Sequence, residues 1–428
     1  MELMEVLDFT NPVYAHTDSK VYEERETLQE HTQRCQKYFS RLLEKEKMQD
    51  AFETMEPVLS GDTPKEYRDW FLQAVRDVIT FHDAGKINPV FQQKAMKNKA
   101  FENIHIPQLH EQNHSVLSAY IYLDCQMACL EQMHKTTPID QGKRIYLYEI
   151  VCINAYLIMK HHSDLDSFDA FLNAIQAGGK LYNIDQAMQQ KSFRQLYRGK
   201  YSQMPVSKYV DILERAKTGP KARSFAKYTY ARLVFSLLTA CDYYATNEYT
   251  TGTEIKQFGS VREINDLRET FEKTQRMREI RTFCPEDAAD DKTDINYLRN
   301  MLFYEAERNL ADHADEDIFY LEAPTGCGKS NVGFHCSFFL AQKGMGKIMY
   351  VYPFNNLVEQ NKVSLEELFQ GSNIFEKAAV VNSVTPIKRD VKTDKENGEF
   401  EENWAECNWS KSLLDRQFLN YPMILTTH

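Results

Sequence analysis

"FHDAGKINPVF", residues 81–91, sets a histidine beside an aspartate at the end of a helical run, then adds glycine, lysine and proline. The run that leads into it, WFLQAVRDVITFHD, brings Phe71, Val75, Val78 and His82 to one face at steps of three and four. An imidazole on an apolar face is ordinarily a hydrogen-bonded core residue, and one His-Asp pair specifies nothing more. Its meaning depends on whether other segments carry matching groups that face it.

Three further helical segments do. TLQEHTQRCQKYFSRLLEK places Leu28, His31, Cys35, Phe39 and Leu42 on one face. YEIVCINAYLIMKHH aligns Ile150, Asn154, Leu157, Ile158 and His161, with His162 next to it. YARLVFSLLTACDYYAT aligns Leu233, Val234, Leu237, Leu238, Cys241 and Asp242. His114 stands in HEQNHSVLSA, where a turn leads into a helix. Burying an unpaired ionisable group costs several kcal/mol, so such groups are paired or bound to metal. Isolated core histidines do not account well for several such groups in chain order. Neutral imidazoles and carboxylates together suit divalent transition ions, and a carboxylate such as Asp83 has two oxygens with which to bridge two of them. Two ions about 3.5–4 Å apart clamp a phosphodiester and activate water.

The motifs LQEHTQRC, FHDAGKINPVFQ, NHSVLSA, MKHHSD and CDYYAT, in this order, resemble the HD phosphohydrolase superfamily. More narrowly, the double histidine and the HDAGK run resemble the HD nuclease domain of the type I CRISPR-associated nuclease-helicase family. The resemblance implies that His31, His82, Asp83 and Asp242 hold one metal ion, and that Asp83, His114, His161 and His162 hold a second. It implies a catalytic role for Asp83, and a phosphate contact for Lys86, whose plain alternative is a solvated lysine at a helix end. His16, His105, His110 and His134 have no counterpart in the pattern. The donor set favours Mn, Fe, Co, Ni or Zn, with Mg admitted.

Further along, APTGCGKS, residues 323–330, follows the strand pattern IFYLE and precedes a helix. It carries the Gly-Lys-Ser ending of a phosphate-binding loop. Backbone N–H groups around Thr325, Gly326, Cys327 and Gly328 would cradle phosphates, Lys329 would reach the β and γ groups of ATP, and Ser330 would hold Mg²⁺. Ala323 stands where the general loop has glycine, and this form resembles superfamily 2 helicases. YPFNNLVEQN (352–361) resembles their motif Ia, and LTTH (425–428) their Thr motif. No DExD or DExH tetrapeptide follows, so motif II is absent from this chain. Little ATP hydrolysis and no unwinding are expected of it alone, whether it is a fragment or its remainder sits on another polypeptide.

With 428 residues, 43% of them apolar, the chain has material for two or three domains. The expected architecture is an all-α HD nuclease domain at 1–255, a charged linker at 256–292, and a partial α/β RecA-like helicase domain at 293–428. A charged insertion at 387–406 reads as a surface loop. Nine scattered cysteines, without a CxxC pair, read as reduced thiols. Cys125 and Cys129 share a helical face, and apolar packing is the preferred reading over a zinc or redox role. No secretory leader or membrane span is seen, so a cytoplasmic, prokaryotic location is expected.

The net charge of −11 counts weakly against nucleic acid, yet residues 191–232 hold eleven Lys/Arg against Asp211 and Glu214. Phe193, Tyr197, Tyr201, Tyr209, Phe225, Tyr228 and Tyr230 are interleaved with them. Either this is a solvated basic helix pair with its aromatics inward, or it is a path for single-stranded DNA with Lys191, Arg194, Arg198, Lys200, Lys221, Arg223 and Lys227 along it. The favoured function is a metal-dependent endonuclease on single-stranded DNA, joined in the complete protein to an ATP-driven helicase. The resemblance implies recruitment by an RNA-guided CRISPR surveillance complex in antiviral defence. The alternatives are an HD-type nucleotide phosphohydrolase and a catalytically incomplete DNA-binding fragment.

Overall fold

The computed structural model describes residues 2–17, 22, 24–45, 48–106, 109, 114–188, 193–199, 202, 204–216, 221–261, 267–283, 294–370, 378–381 and 410–427. The insertion at 387–406 lies outside them. The chain is mostly helical, with a small parallel sheet toward its C-terminal end. Its contacts divide it into two compact units, Met1–Glu254 and Ile255–His428. Among the described residues, no helix is long and apolar enough to cross a membrane.

Five long helices frame the first unit: α1 (Leu28–Lys45), α2 (Lys65–Phe81), α3 (His114–Thr136), α4 (Gln141–Lys160) and α5 (Lys221–Thr251). A reciprocal cap starts α1. Thr27 donates its N–H to Glu30 Oε2 at 2.9 Å, and Glu30 N–H donates to Thr27 Oγ1 at 3.2 Å. Leu28, Cys35, Phe39 and Leu42 are buried on the face that the periodicity marks. Asp140 caps α4 by accepting from Lys143 N–H at 3.0 Å. Helix α3 packs against α4, and α5 against α1. Asn154 of α4 ties three helices together: it donates to Tyr122 Oη at 2.8 Å and accepts from Tyr230 Oη at 2.8 Å. Ahead of α1, two short antiparallel strands, β1 (Tyr14–His16) and β2 (Glu26–Thr27), pair with each other.

In the second unit three parallel strands, β3 (Ile348–Tyr352), β4 (Ala378–Val381) and β5 (Met423–Thr427), lie in the order β3-β5-β4. The expected strand at IFYLE is not among them. Ile318, Phe319, Tyr320 and Leu321 are exposed and pair with no strand among the described residues. An apolar run becomes a strand only where a neighbour takes up its backbone groups.

The expected linker also differs. Its described part carries α6 (Leu267–Glu272) and α7 (Gln275–Arg281), and Val261, Leu267, Phe271, Met277 and Ile280 are buried in the core of this unit. They pack with residues of α8 (Ile295–Asp312), α9 (Lys329–Gln342) and α10 (Asn355–Leu368), among them Phe303, Phe338 and Val358. High charge concealed an amphipathic pattern, because the exposed faces of two short helices supply most of the residues counted.

Candidate metal centre

Helix α2 ends at Phe81, and the chain turns tightly through 84–87 before Pro89 opens the next short helix. His82 Nδ1 lies 2.8 Å from Ile79 O, which can only accept, so Nδ1 carries the proton. In the neutral ring that leaves Nε2 as a lone-pair donor facing inward. His161, at the end of α4, repeats the device with Nδ1–H donating to Ile158 O at 2.7 Å. A ligating imidazole is commonly fixed this way, through its second nitrogen. Gly85 permits the turn to approach α3 closely: a Cβ there would lie 2.0 Å from His114 O and 2.7 Å from Ser118 N.

Asp83 joins two groups. Its Oδ2 lies 3.4 Å from His31 Nε2 and 3.6 Å from His82 Nε2. Its Oδ1 lies 3.2 Å from His114 Nε2 and 3.5 Å from His161 Nε2. Asp242 Oδ1 completes the first side, 3.3 Å from His31 Nε2 and 3.8 Å from His82 Nε2. His162 adds to the second side, with Nε2 2.9 Å from His114 Nε2. The structure thus brings together His31, His82, Asp83, His114, His161, His162 and Asp242 from α1, α3, α4, α5 and the end of α2.

His82 Nε2 and His161 Nε2 are buried without a hydrogen bond, and both Asp83 oxygens are buried among imidazoles and the Lys86 ammonium. Native interiors rarely leave so many polar atoms together in that state. Imidazole and carboxylate donors aimed at two common points fit divalent cations.

The electrostatics agree. Burial opposes ionisation of Asp83, but the charges of Lys86 and His82 and the close approach of His114 and His161 hold its carboxyl well below the usual range. Burial would lower His82; the charge of Asp83 and contacts with Asp242 and Cys35 outweigh it and lift the group to about 10. Asp242 is likewise held low against burial by His31 and His82. Without an ion, a proton on His82 supplies the positive charge that the carboxylates draw, and a bound metal ion would take that proton's place on Nε2. His162, by contrast, is pushed down to about 3 by burial and by His161, which keeps it neutral and able to ligate.

Sequence reasoning missed three members of this neighbourhood. Cys35 sits one turn after His31, with Sγ 3.5 Å from His31 Nε2, and belongs to the first group. Its helical position was legible, although its role was not. Glu26 of β2 faces His31 Nδ1 at 3.3 Å and accepts from His16 Nδ1–H at 2.6 Å. Burial would raise Glu26, and hydrogen bonds with His16 and His31 bring it down to about 2.

Lys86 is neither solvated nor free for a phosphate. It is buried, with Nζ 2.8 Å from Asp83 Oδ2 and 3.2 Å from Ala15 O. The turn at 84–87 directs it inward.

The basic stretch divides. Lys191 and Lys200 lie outside the described residues, as does Tyr201. Arg194 and Lys221 are exposed, and Arg198 pairs with Asp8. Arg223 is buried: it pairs with Glu149, donates from Nε to Leu59 O at 2.8 Å and lies over the Tyr146 ring. Lys227 joins it on Glu149 at 2.8 Å. These two are internal counter-charges, not a strand path. Phe193, Tyr197, Tyr209 and Tyr230 point into the core; Phe225 and Tyr228 are exposed.

In the second unit the segment expected to be a phosphate loop, Thr325–Ser330, runs into the first turn of α9, with Gly326 and Gly328 at φ 81° and 89°, a region that favours glycine. Lys329 Nζ donates to the carbonyls of Ala323 and Pro324. Arg299 of α8 donates from Nε and Nη2 to Gly326 O at 2.9 and 2.7 Å. Thr426, in the segment resembling the Thr motif, donates from Oγ1 to Val381 O and so ties β5 to β4.

No protein-family model matches the chain. Among solved structures it is similar to the crystal structure of T. fusca Cas3-ADP, with 14% identity and a TM-score of 0.41. The match covers 97% of this chain and 44% of that one, so the chain spans less than half the length of the protein it matches.

Proposed function

We propose that the first unit is a metal-dependent nuclease that cuts single-stranded DNA. The observation that carries this reading is the buried Asp83 carboxylate, whose two oxygens face separate sets of imidazoles. His31, His82, Asp83 and Asp242 would hold one divalent ion, and Asp83, His114, His161 and His162 the other. Bound there, a pair of ions supplies an activated water and neutralises charge that develops on the phosphate.

The chain's own residues contribute rigidity and orientation. Ile79 O and Ile158 O fix the tautomers of His82 and His161. Glu26 faces His31 in the same manner. Lys86 offsets part of the Asp83 charge from inside the fold. Burial of His31, His82, Asp83, His161 and Asp242 keeps bulk water from competing for them, while His114 and His162 lie nearer the surface.

The phosphate-loop segment would bind the phosphates of ATP with Mg²⁺, and ATP-driven strand delivery would belong to the complete protein. Recruitment by an RNA-guided CRISPR surveillance complex rests on the sequence resemblance alone. A DNA path would use exposed groups such as Arg194, Lys221, Phe225 and Tyr228 rather than Arg223 or Lys227.

The test is cleavage of circular single-stranded DNA by the chain with Mn²⁺, Co²⁺ or Ni²⁺, with a chelator as control. A circle has no ends, so cutting it requires endonuclease action. Asp83→Ala should lower the rate by at least about a thousandfold, because a ligand shared by both groups cannot be lost in part. Metal uptake without cutting would sink the nuclease reading, and hydrolysis of nucleotides instead would favour a phosphohydrolase.

A further inference from the structure

We propose that Cys35 joins His31, His82, Asp83 and Asp242 as a further ligand of the first ion, and that its sulfur makes that half of the centre select a thiophilic divalent ion such as zinc, cobalt(II) or iron(II). The inference rests on the reading of His31, His82 and Asp242 as metal ligands. Cys35 follows His31 by four residues on α1, so the two side chains stand one above the other on the same face. Ligand atoms of His31, Cys35, His82 and Asp242 all lie within 4.8 Å of one another, and all four residues are buried.

The separations also have the size that coordination demands. A four- or five-coordinate shell with bonds of about 2.0–2.3 Å has edges of about 2.8–4 Å. His31 Nε2 stands 3.3 Å from Asp242 Oδ1 and 3.5 Å from Cys35 Sγ, and His82 Nε2 stands 3.8 Å from Asp242 Oδ1. His82 Nε2, moreover, is a buried atom without a hydrogen bond.

Charge and chemistry point the same way. The Cys35 thiolate, the Asp242 carboxylate and two neutral imidazoles match the charge of a divalent ion, while the Asp83 carboxylate is shared with the second ion and offset in part by Lys86; the thiol proton leaves to water on coordination. Thiolate sulfur favours softer ions, whereas Mg²⁺ and Mn²⁺ prefer oxygen. The second group, Asp83, His114, His161 and His162, contains no sulfur. The two halves of the centre therefore differ in softness, and the first should fill with zinc or cobalt in preference to manganese.

The experiment is a cobalt(II) titration of the full 428-residue chain, stripped by chelation and kept reduced, without nucleic acid. The expected result is a near-ultraviolet sulfur-to-cobalt charge-transfer band that saturates at one equivalent. Cys129→Ser should keep the band; Cys35→Ser and Cys35→Ala should both lose it. Cobalt should then bind at least about tenfold more weakly, the lower end of what losing even an outer partner costs. Two replacements are used because serine leaves a buried hydroxyl and alanine does not. Visible cobalt bands without the charge-transfer band would overturn the role of Cys35 and leave the metal centre standing. A band that survives both Cys35 variants would overturn it equally. Failure to take up cobalt at all would overturn the metal-centre reading together with this inference.

Discussion

Among the described residues, two neighbourhoods of metal-ligand side chains are built on opposite plans. One is His31, His82, Asp83 and Asp242 with their neighbours; the other is Glu272, Glu307 and His335 in the second unit. In the second, Arg281 already occupies the middle. It donates to Glu307 from Nη1 and Nη2 at 2.7 Å each, and to Glu272 from Nη2 at 2.9 Å. Arg281 and His335 hold the Glu307 carboxyl well below the usual range. In the first cluster the fixed cation is Lys86, on one oxygen of Asp83, and the remaining charge faces imidazoles. Clustering alone therefore does not make a site. What decides is whether a fixed cation has already balanced the carboxylates, and metal uptake should saturate at two ions per chain with none at Glu307.

The contrast can be broken or sharpened by removing whatever satisfies each buried charge. The largest effect should come from Arg223→Ala, which leaves Lys227 to balance the Glu149 carboxylate and also removes the bond to Leu59 O and the packing on Tyr146. Denaturant unfolding should show a loss of about 3–5 kcal/mol, as for other buried pairs cut on one side. A near-neutral result that instead weakened DNA binding would restore Arg223 to the strand path.

Asp124 represents a buried carboxylate held by neutral donors. Tyr197 Oη donates to it at 2.6 Å, and the Ser202 N–H donates as well. Burial outweighs both and pushes the group up to about 6. Because the folded form holds this proton more tightly, its stability is full below pH ~4, falls as the pH rises toward 6, and is flat above. The decline should reach up to about 3 kcal/mol and should vanish in Asp124→Asn. Unfolding curves with the same pH slope in both proteins would refute this.

Gly85→Ala tests geometry without touching a donor. Its new methyl must displace His114 O, at a cost of about 1–3 kcal/mol, and uptake of the second ion should weaken while the first stays. Equal loss at both would mean that the two groups are not separable.

The smallest effect should follow Arg281→Ala. Its side chain is 32% exposed, so solvent screens the loss to about 1 kcal/mol. Metal stoichiometry should not change. A third bound ion in this variant would show that Arg281 alone distinguishes the two clusters.

How much of this was legible in the sequence follows from the range of each interaction. His31, His82, His161 and Asp242 declared themselves because a helix repeats every few residues, and apolar neighbours one turn away mark the buried face. Cys35 was placed on that face, but a thiol in a core is so ordinary that its neighbours alone give it meaning. Glu26 and His16 were invisible because β1 and β2 are three and two residues long, too short for any alternation. Arg223 was misread since its partner, Glu149, is 74 residues away, and a count of local charge cannot show that pairing. IFYLE had the composition of a strand, but composition does not supply the neighbouring strand that it requires.

The contact between His31 and Asp242 spans 211 positions of the chain. An ion held by both would work as a clasp, closing nearly the whole first unit into a loop. The entropy of closing such a loop grows only slowly with its length, but all of it is removed from the unfolded chain. Stripping the ion should therefore loosen the ends near β2 and the C-terminal turns of α5 before the middle of the unit gives way. Proteases would then find their first cuts there, so that resistance to digestion would report metal occupancy without any nucleic acid present.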